Sequence, residues 1–88
     1  PGGARSEWRD ATGTIQLLEV HPHLDWYGRP IAELEAASQS RVAFLTRLGE
    51  GLIPEAHTVL QDGDLVHMTI RDDMLAAAEA ALTQGPGA

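Results

Sequence analysis

Arg47 is the residue of this sequence best suited to bind an anion, because a guanidinium can hold a phosphate or carboxylate with two parallel hydrogen bonds. It ends a run of strand-forming residues and precedes the short apolar segment Ile53-Pro54. An arginine beside an apolar platform suits a phosphate above a stacked base, with Phe44, Ile53 and Pro54 as the apolar walls. The alternatives are an ordinary surface ion pair for Arg47, and core or dimer packing for Phe44.

The four histidines of the chain could bind a metal, but their spacing is weak evidence for it. His21 and His23 lie close to Asp25, and two imidazoles with a carboxylate are ligands for zinc or nickel. These residues follow a predicted strand as a loop, which lacks the surrounding hydrogen bonds that fix metal ligands. We therefore predict no metal site. His67 is interpreted as a half-buried strand residue, and His57 as a loop residue that can act as a neutral donor beside the anion site.

Residue types and charge exclude several other functions. No serine or cysteine stands in a nucleophile setting and no paired-carboxylate motif is present, so the chain is predicted not to be an enzyme. All six basic residues are arginines and the net charge is -7, which leaves no basic stripe for a nucleic acid polymer. The lack of cysteine favours the cytoplasm, and no apolar run approaches the roughly 20 residues of a membrane span.

Strand-forming and helix-forming segments alternate along the chain. Strands are predicted over residues 14–21, 41–48, 52–54 and 65–70, with a turn at residues 49–51 and residues 52–54 at a sheet edge. A helix is predicted over residues 30–37, where Pro30 suits the first turn. Asp72 and Asp73 are placed to cap a second, alanine-rich helix that ends near Gly85.

These elements predict an α+β fold, a small β-sheet with two helices on one face. The other face of the sheet would be exposed to solvent in a monomer, and a domain of 88 residues buries only a modest share of its surface. We therefore expect a two-fold dimer of sandwiches. Residues 1–13 are assigned to a connector from a preceding lobe, on which Trp8 would dock, residues 14–83 to the domain, and residues 84–88 to a flexible tail.

Three linked motifs carry a family resemblance. They are residues 28–37, 41–54 and 58–68, which read GRPIAELEAA, RVAFLTRLGEGLIP and TVLQDGDLVHM. In this order they resemble the TrkA C-terminal family, also called the C-terminal lobe of RCK domains, over about residues 14–82. Linked motifs are more specific than any one of them. The Gly63-Asp64 pair within the third motif is interpreted as a turn of the fold and not as a site.

The resemblance implies a cytosolic regulatory domain of a Trk- or Ktr-type potassium transport system, a homodimer at the inner face of the cell membrane beside a membrane transporter subunit. It also implies a small anionic effector between protomers, with cyclic di-AMP as the candidate, bound by Arg47, Phe44, Ile53, Pro54 and His57. No cofactor is expected in this piece, since it has no G-x-G-x-x-G motif; NAD or ATP would belong to the preceding lobe.

Two other interpretations stay open at this stage. One is a purely structural dimerisation module that binds no small ligand, with Arg47 paired on the surface. The other is a different small-molecule-binding α+β domain, such as an ACT-like amino-acid sensor, which fold analogy alone would permit.

Overall fold

Five strands form one antiparallel sheet in the computed structural model, which describes residues 4–87. The strands are β1 (Ala4–Arg9), β2 (Ile15–Val20), β3 (Arg41–Arg47), β4 (Glu50–Leu52) and β5 (Leu65–Arg71), in the spatial order β1-β2-β5-β3-β4. Two helices, α1 (Ile31–Ser38) and α2 (Leu75–Gln84), pack against each other and against one face of the sheet. This architecture confirms the predicted α+β fold, while the dimer stays a prediction.

The core lies between this face and the helices. Side chains alternate between the two faces of a strand, so the register Leu18 to Met68 and Val20 to Val66 brings four apolar side chains of β2 and β5 onto the helix side. They are buried together with side chains from both helices, including Ile31, Leu34, Ala78 and Leu82.

The opposite side of the sheet, called the open face below, carries the residues that alternate with the core. Glu19 of β2 pairs with His67 of β5 there. Register shifts in β1, between Ser6 and Trp8, and in β3, between Val42 and Phe44, mark β-bulges. A bulge re-aims the side chains around it. Together these strands bring polar and aromatic groups to the middle of the open face.

Strand β1 was not predicted. Residues 4–9, assigned to the connector, pair along β2 at one edge of the sheet. Their sequence, ARSEWR, has one large apolar residue and no alternating apolar stripe, so only pairing with β2 makes them a strand. The preceding lobe and the docking of Trp8 on it stay predictions.

Two details of the hairpin and the last strand differ from expectation. The turn between β3 and β4 is formed by Leu48-Gly49, with φ of 52° and 80°, which a two-residue type I′ turn requires. The turn predicted over residues 49–51 was therefore wrong, and β4 begins at Glu50; its edge position is confirmed. β5 lies at the centre of the sheet and is buried on both faces around Val66 and His67, whereas a half-buried strand was predicted.

The predicted capping of the second helix was also wrong. Helix α2 follows a 3-10 turn at Asp72–Met74, and no side chain caps it. Asp72 instead accepts a hydrogen bond from Gln16 at 2.9 Å and from Arg9, and Asp73 accepts from Arg71. Side chains of β1, β2 and β5 thus hydrogen-bond these carboxylates, which make no capping hydrogen bond to the helix.

Candidate functional site

Arg47 and Asp64 form a bidentate ion pair, called the clamp below. Arg47 Nε and Nη2 donate to the two carboxylate oxygens of Asp64 at 2.9 and 2.8 Å, and Nη2 also donates to the Val59 carbonyl at 3.0 Å. Asp64 is only 2% exposed and accepts a further hydrogen bond from the Gln61 amide at 2.8 Å. The clamp thus ties the end of β3 to the long loop that leads into β5.

The electrostatics of the clamp keep both groups charged. Burial of the Asp64 carboxyl opposes ionisation, but the hydrogen bonds from Arg47 and the Gln61 amide outweigh it and lower the pKa of Asp64 below its usual value. The same hydrogen bond raises the pKa of Arg47. Gly63, with φ of 94°, makes the turn that positions Asp64, so this turn forms as predicted.

The loop before Asp64 is fixed by the first helix. The amides of Ile31 and Ala32 at the N-terminus of α1 donate to the carbonyls of Thr58 and Ala56 at 2.8 and 3.0 Å. Amides in the first turn of a helix have no acceptor within that helix, and here the carbonyls of the loop accept their hydrogen bonds. Leu60 of the same loop is buried in the core.

The other predicted site residues lie on different surfaces. Ile53 is 82% exposed, Pro54 is half-buried and His57 is exposed, with its Nε2 at 3.6 Å from Glu55. Phe44 lies on the open face, where its ring stacks on His67 with the centroids 4.0 Å apart. Within one chain Phe44 is therefore separated from Arg47, which points to the helix side. Both interpretations of Phe44, as a ligand wall and as a core or dimer contact, stay predictions.

Exposed apolar side chains surround the β3–β4 hairpin. Leu48 is 98% exposed, and it adjoins a shallow cavity of about 310 Å³ that Arg47 also lines. Strand β4 has no strand on its outer side, which leaves its backbone groups free to pair. We call the exposed apolar set the hairpin patch; its members are Leu48, Leu52, Ile53 and Val59.

A larger open groove, of about 740 Å³, lies between α1 and the ends of the central strands. Two arginines, Arg41 and Arg71, line it. Arg71 is paired with Asp73, and Arg41 forms no ion pair with any residue in the range 4–87. Arg41 is thus a second arginine that could contact an anion.

Three potential metal ligands converge on the open face, and we call them the open-face cluster. One ligand atom from each of Glu7, Glu19 and His67 lies within 4.8 Å of the others. His67 Nδ1 is 2.7 Å from a Glu7 carboxylate oxygen, and its Nε2 is 2.8 Å from the Thr46 hydroxyl. No sequence pattern indicated this cluster, because its members are up to 60 residues apart and one of them lies on β1, which was not predicted.

The predicted loop histidines do not join this cluster directly. His23 Nδ1 accepts a hydrogen bond from the Asp25 amide at 3.0 Å and so caps the 3-10 turn at Leu24–Trp26. His21 Nε2 lies 3.5 Å from Glu19, at the rim of the cluster. In the range 4–87 no helix has both the length and the apolar character needed to cross a bilayer.

The fold is that of an RCK domain lobe. A crystal structure of the GsuK RCK domain superposes with a TM-score of 0.77 at 23% identity, over 97% of this chain and 19% of that one. The GsuK channel bound to NAD gives a TM-score of 0.77 at 22% identity, over 99% of this chain and 16% of that one. No protein-family model matches the chain.

A curated relative narrows this class. The Trk system potassium uptake protein TrkA of Streptomyces coelicolor is 50% identical over 86 residues, which is 98% of this chain and 39% of the relative. The chain therefore belongs to the TrkA C-terminal, or RCK C-lobe, family, as the three motifs indicated. It spans about two fifths of the curated relative that it matches.

Proposed function

We propose that this chain is the regulatory and dimerising domain of a potassium-transport regulator, and that it senses a small anionic effector. The identity of 50% to a potassium uptake protein over 98% of the chain carries this proposal. The domain would act in the cytoplasm, at the inner face of the membrane, with a transporter subunit as partner of the full-length regulator. NAD or ATP would bind a preceding lobe.

The hairpin patch supports the homodimer. It combines an edge strand with exposed apolar side chains, and a two-fold axis beside β4 would bury the same patch on both copies. A small domain gains stability from such burial. The axis would also bring two copies of Arg47 towards each other, which offsets the negative charge of the chain locally.

The effector site would lie at this axis. Arg47 Nε and Nη2 are engaged by Asp64 and Val59, but Nη1 makes no hydrogen bond to any residue from 4 to 87 and can donate to a ligand. The segment that follows the hairpin carries the other predicted ligand contacts, which are exposed or half-exposed: Ile53, Pro54 and His57. Phe44 supports β3 from the open face. Cyclic di-AMP is our candidate, since a phosphate would meet the guanidinium and a base would stack on the apolar groups.

Regulation requires that the effector bind two conformations of the dimer with different affinity. A ligand that spans the axis contacts both protomers, so it favours the arrangement in which the two sites are correctly spaced. That change in spacing would be transmitted to the rest of the regulator.

A titration calorimetry experiment with cyclic di-AMP tests the proposal, with AMP as the control ligand and light scattering to give the mass in solution. Arg47→Ala alone is ambiguous because it also breaks the clamp. Ile53→Ser and His57→Ala change exposed side chains and should leave the fold intact. We expect one cyclic di-AMP per dimer of the wild type. Its affinity should be at least about tenfold weaker in Ile53→Ser and in His57→Ala, and unchanged in Arg41→Ala.

The structural dimerisation module is the second candidate, and the engagement of Arg47 by Asp64 favours it. That function predicts a dimer that releases no heat with cyclic di-AMP and shows no thermal shift. Loss of binding in Arg41→Ala, with the other variants unchanged, would instead move the effector site to the groove at the ends of the central strands.

A further inference from the structure

We propose that the open-face cluster binds one divalent transition-metal ion of the zinc class, which fastens the edge strand β1 to the centre of the sheet. Its donors are one imidazole nitrogen and two carboxylates, from Glu7 on β1, Glu19 on β2 and His67 on β5. Nitrogen with carboxylate oxygen is a donor set that zinc and manganese accept. The inference is independent of the effector site and of the dimer.

The donors lie within 4.8 Å of one another, so each pair differs by no more than about 1.5 Å from the separation that a tetrahedral ion requires. Bonds of about 2.0–2.1 Å in tetrahedral geometry separate two ligand atoms by about 3.3 Å. His67 Nδ1 and the Glu7 oxygen are 2.7 Å apart, so they must separate by about 0.6 Å to admit the ion. Glu7 can make this movement because it lies on an edge strand and its side chain is partly exposed.

The surroundings of His67 distinguish the cluster from a chance group of surface acids. The residue is 4% exposed and lies on the central strand. The Thr46 hydroxyl at Nε2 can accept its proton and leave the Nδ1 lone pair for a metal, which is how protein groups commonly orient ligating histidines. The stacked ring of Phe44 fixes the plane of the imidazole.

Two further groups complete the site. Arg5 donates to Glu19 at 2.9 Å, which orients that carboxylate. His21 directly follows β2, and the Nε2 of its exposed ring lies 3.5 Å from Glu19, so it can turn towards the cluster and supply a fourth ligand. A bound ion would neutralise the facing carboxylates and connect three adjacent strands.

Calorimetric titration with zinc chloride tests the inference, with manganese chloride as a second probe and magnesium chloride as a control. We expect one zinc ion per chain. Glu7→Gln keeps the size of the side chain but removes a carboxylate, and should weaken zinc binding about tenfold or more. Glu55→Gln is the matched control, because Glu55 also faces a histidine, His57, but on an exposed loop. The zinc affinity of this variant should equal that of the wild type.

Cobalt(II) quenching locates the ion independently. Trp8 is next to Glu7 and 54% exposed, whereas Trp26 is buried in the core. In a Trp26→Phe variant, whose remaining tryptophan is Trp8, we expect cobalt(II) to quench the Trp8 emission up to a saturating concentration. Adding Glu7→Gln to this variant should abolish the quenching. Failure to bind zinc, or equal binding by wild type and Glu7→Gln in chains of normal circular dichroism, would overturn the assignment.

Discussion

Replacing Arg47 by alanine should remove a large part of the folding free energy, because it leaves a buried carboxylate without its partner. Asp64 receives hydrogen bonds from two nitrogens of Arg47 and retains only the Gln61 amide without them. Removing one member of a buried ion pair costs about 3–5 kcal/mol. The Arg47 side chain is 24% exposed, so water can enter the gap, and we expect about 3 kcal/mol.

Thermal unfolding at pH 7 and equal protein concentration measures this cost. For a domain of this size 1 kcal/mol corresponds to about 4–8 °C in Tm, so Arg47→Ala should melt about 12–24 °C lower. Arg29→Ala is the matched control, since Arg29 pairs with Glu33 on the surface of α1 at 2.9 Å. Such exposed pairs contribute about 0.3–0.5 kcal/mol. If both variants melt within about 3 °C of each other, the clamp does not stabilise the fold as argued.

The pH dependence gives a second check on the clamp. The pKa of Asp64 is lower in the folded than in the unfolded chain, so its contribution to stability is complete above the unfolded pKa of about 4 and is lost as pH falls through the folded pKa. The difference in stability between wild type and Arg47→Ala should therefore narrow as the solution is acidified below about pH 4. A difference that stays constant would contradict the ionic character of the contact.

Three more results are expected. Leu48→Asn gives the hairpin the Asn-Gly sequence that a type I′ turn favours, so it should raise the Tm of the monomer, measured in dilute solution. It should also weaken the dimer in sedimentation experiments, because it removes an exposed apolar side chain. A lower Tm would contradict the turn assignment. Gly63→Ala should destabilise by about 1–2 kcal/mol in urea unfolding, because φ is 94° with open space around it. Gly51 has equally open surroundings but no positive φ, so Gly51→Ala should leave the free energy of unfolding nearly unchanged. Equal destabilisation by Gly63→Ala and Gly51→Ala would refute the role given to the positive φ of Gly63. Asp10, whose carboxylate accepts hydrogen bonds from the Thr12 hydroxyl and backbone amides, has its pKa lowered to about 2; an NMR titration should find it ionised well below pH 4, stabilising the fold above that pH.

Segments with a strong local pattern were predictable. Pro30 marks the start of α1, and the apolar residues of β2, β3 and β5 identify those strands wherever they lie in the sheet. The Gly63-Asp64 turn was predictable for the same reason, since positive φ at glycine and side-chain acceptance by aspartate are local properties. The three motifs that identify the family lie within these segments, which is why the relationship to TrkA could be read from them.

Features that depend on a neighbour were not predictable. β1 is a polar segment that becomes a strand only because β2 offers it an edge. Asp72 was expected to cap a helix, but Gln16 and Arg9 on adjacent strands reach it. Arg47 was predicted either to bind a phosphate or to form a surface ion pair, and nothing in its local sequence shows that Asp64, 17 residues away, accepts hydrogen bonds from two of its nitrogens.

Local sequence patterns were enough to predict the α+β class, the position of most elements and the family, because helix and strand periodicity and turn chemistry act over a few residues. Contacts between charged side chains, in contrast, depend on how the whole chain folds. The clamp joins residues 17 positions apart, and the open-face cluster joins residues up to 60 positions apart. Such contacts form only when strand order, bulges and register bring the side chains to one face. Strand order and bulge position follow from the packing of the whole sheet against its helices, which no local pattern specifies.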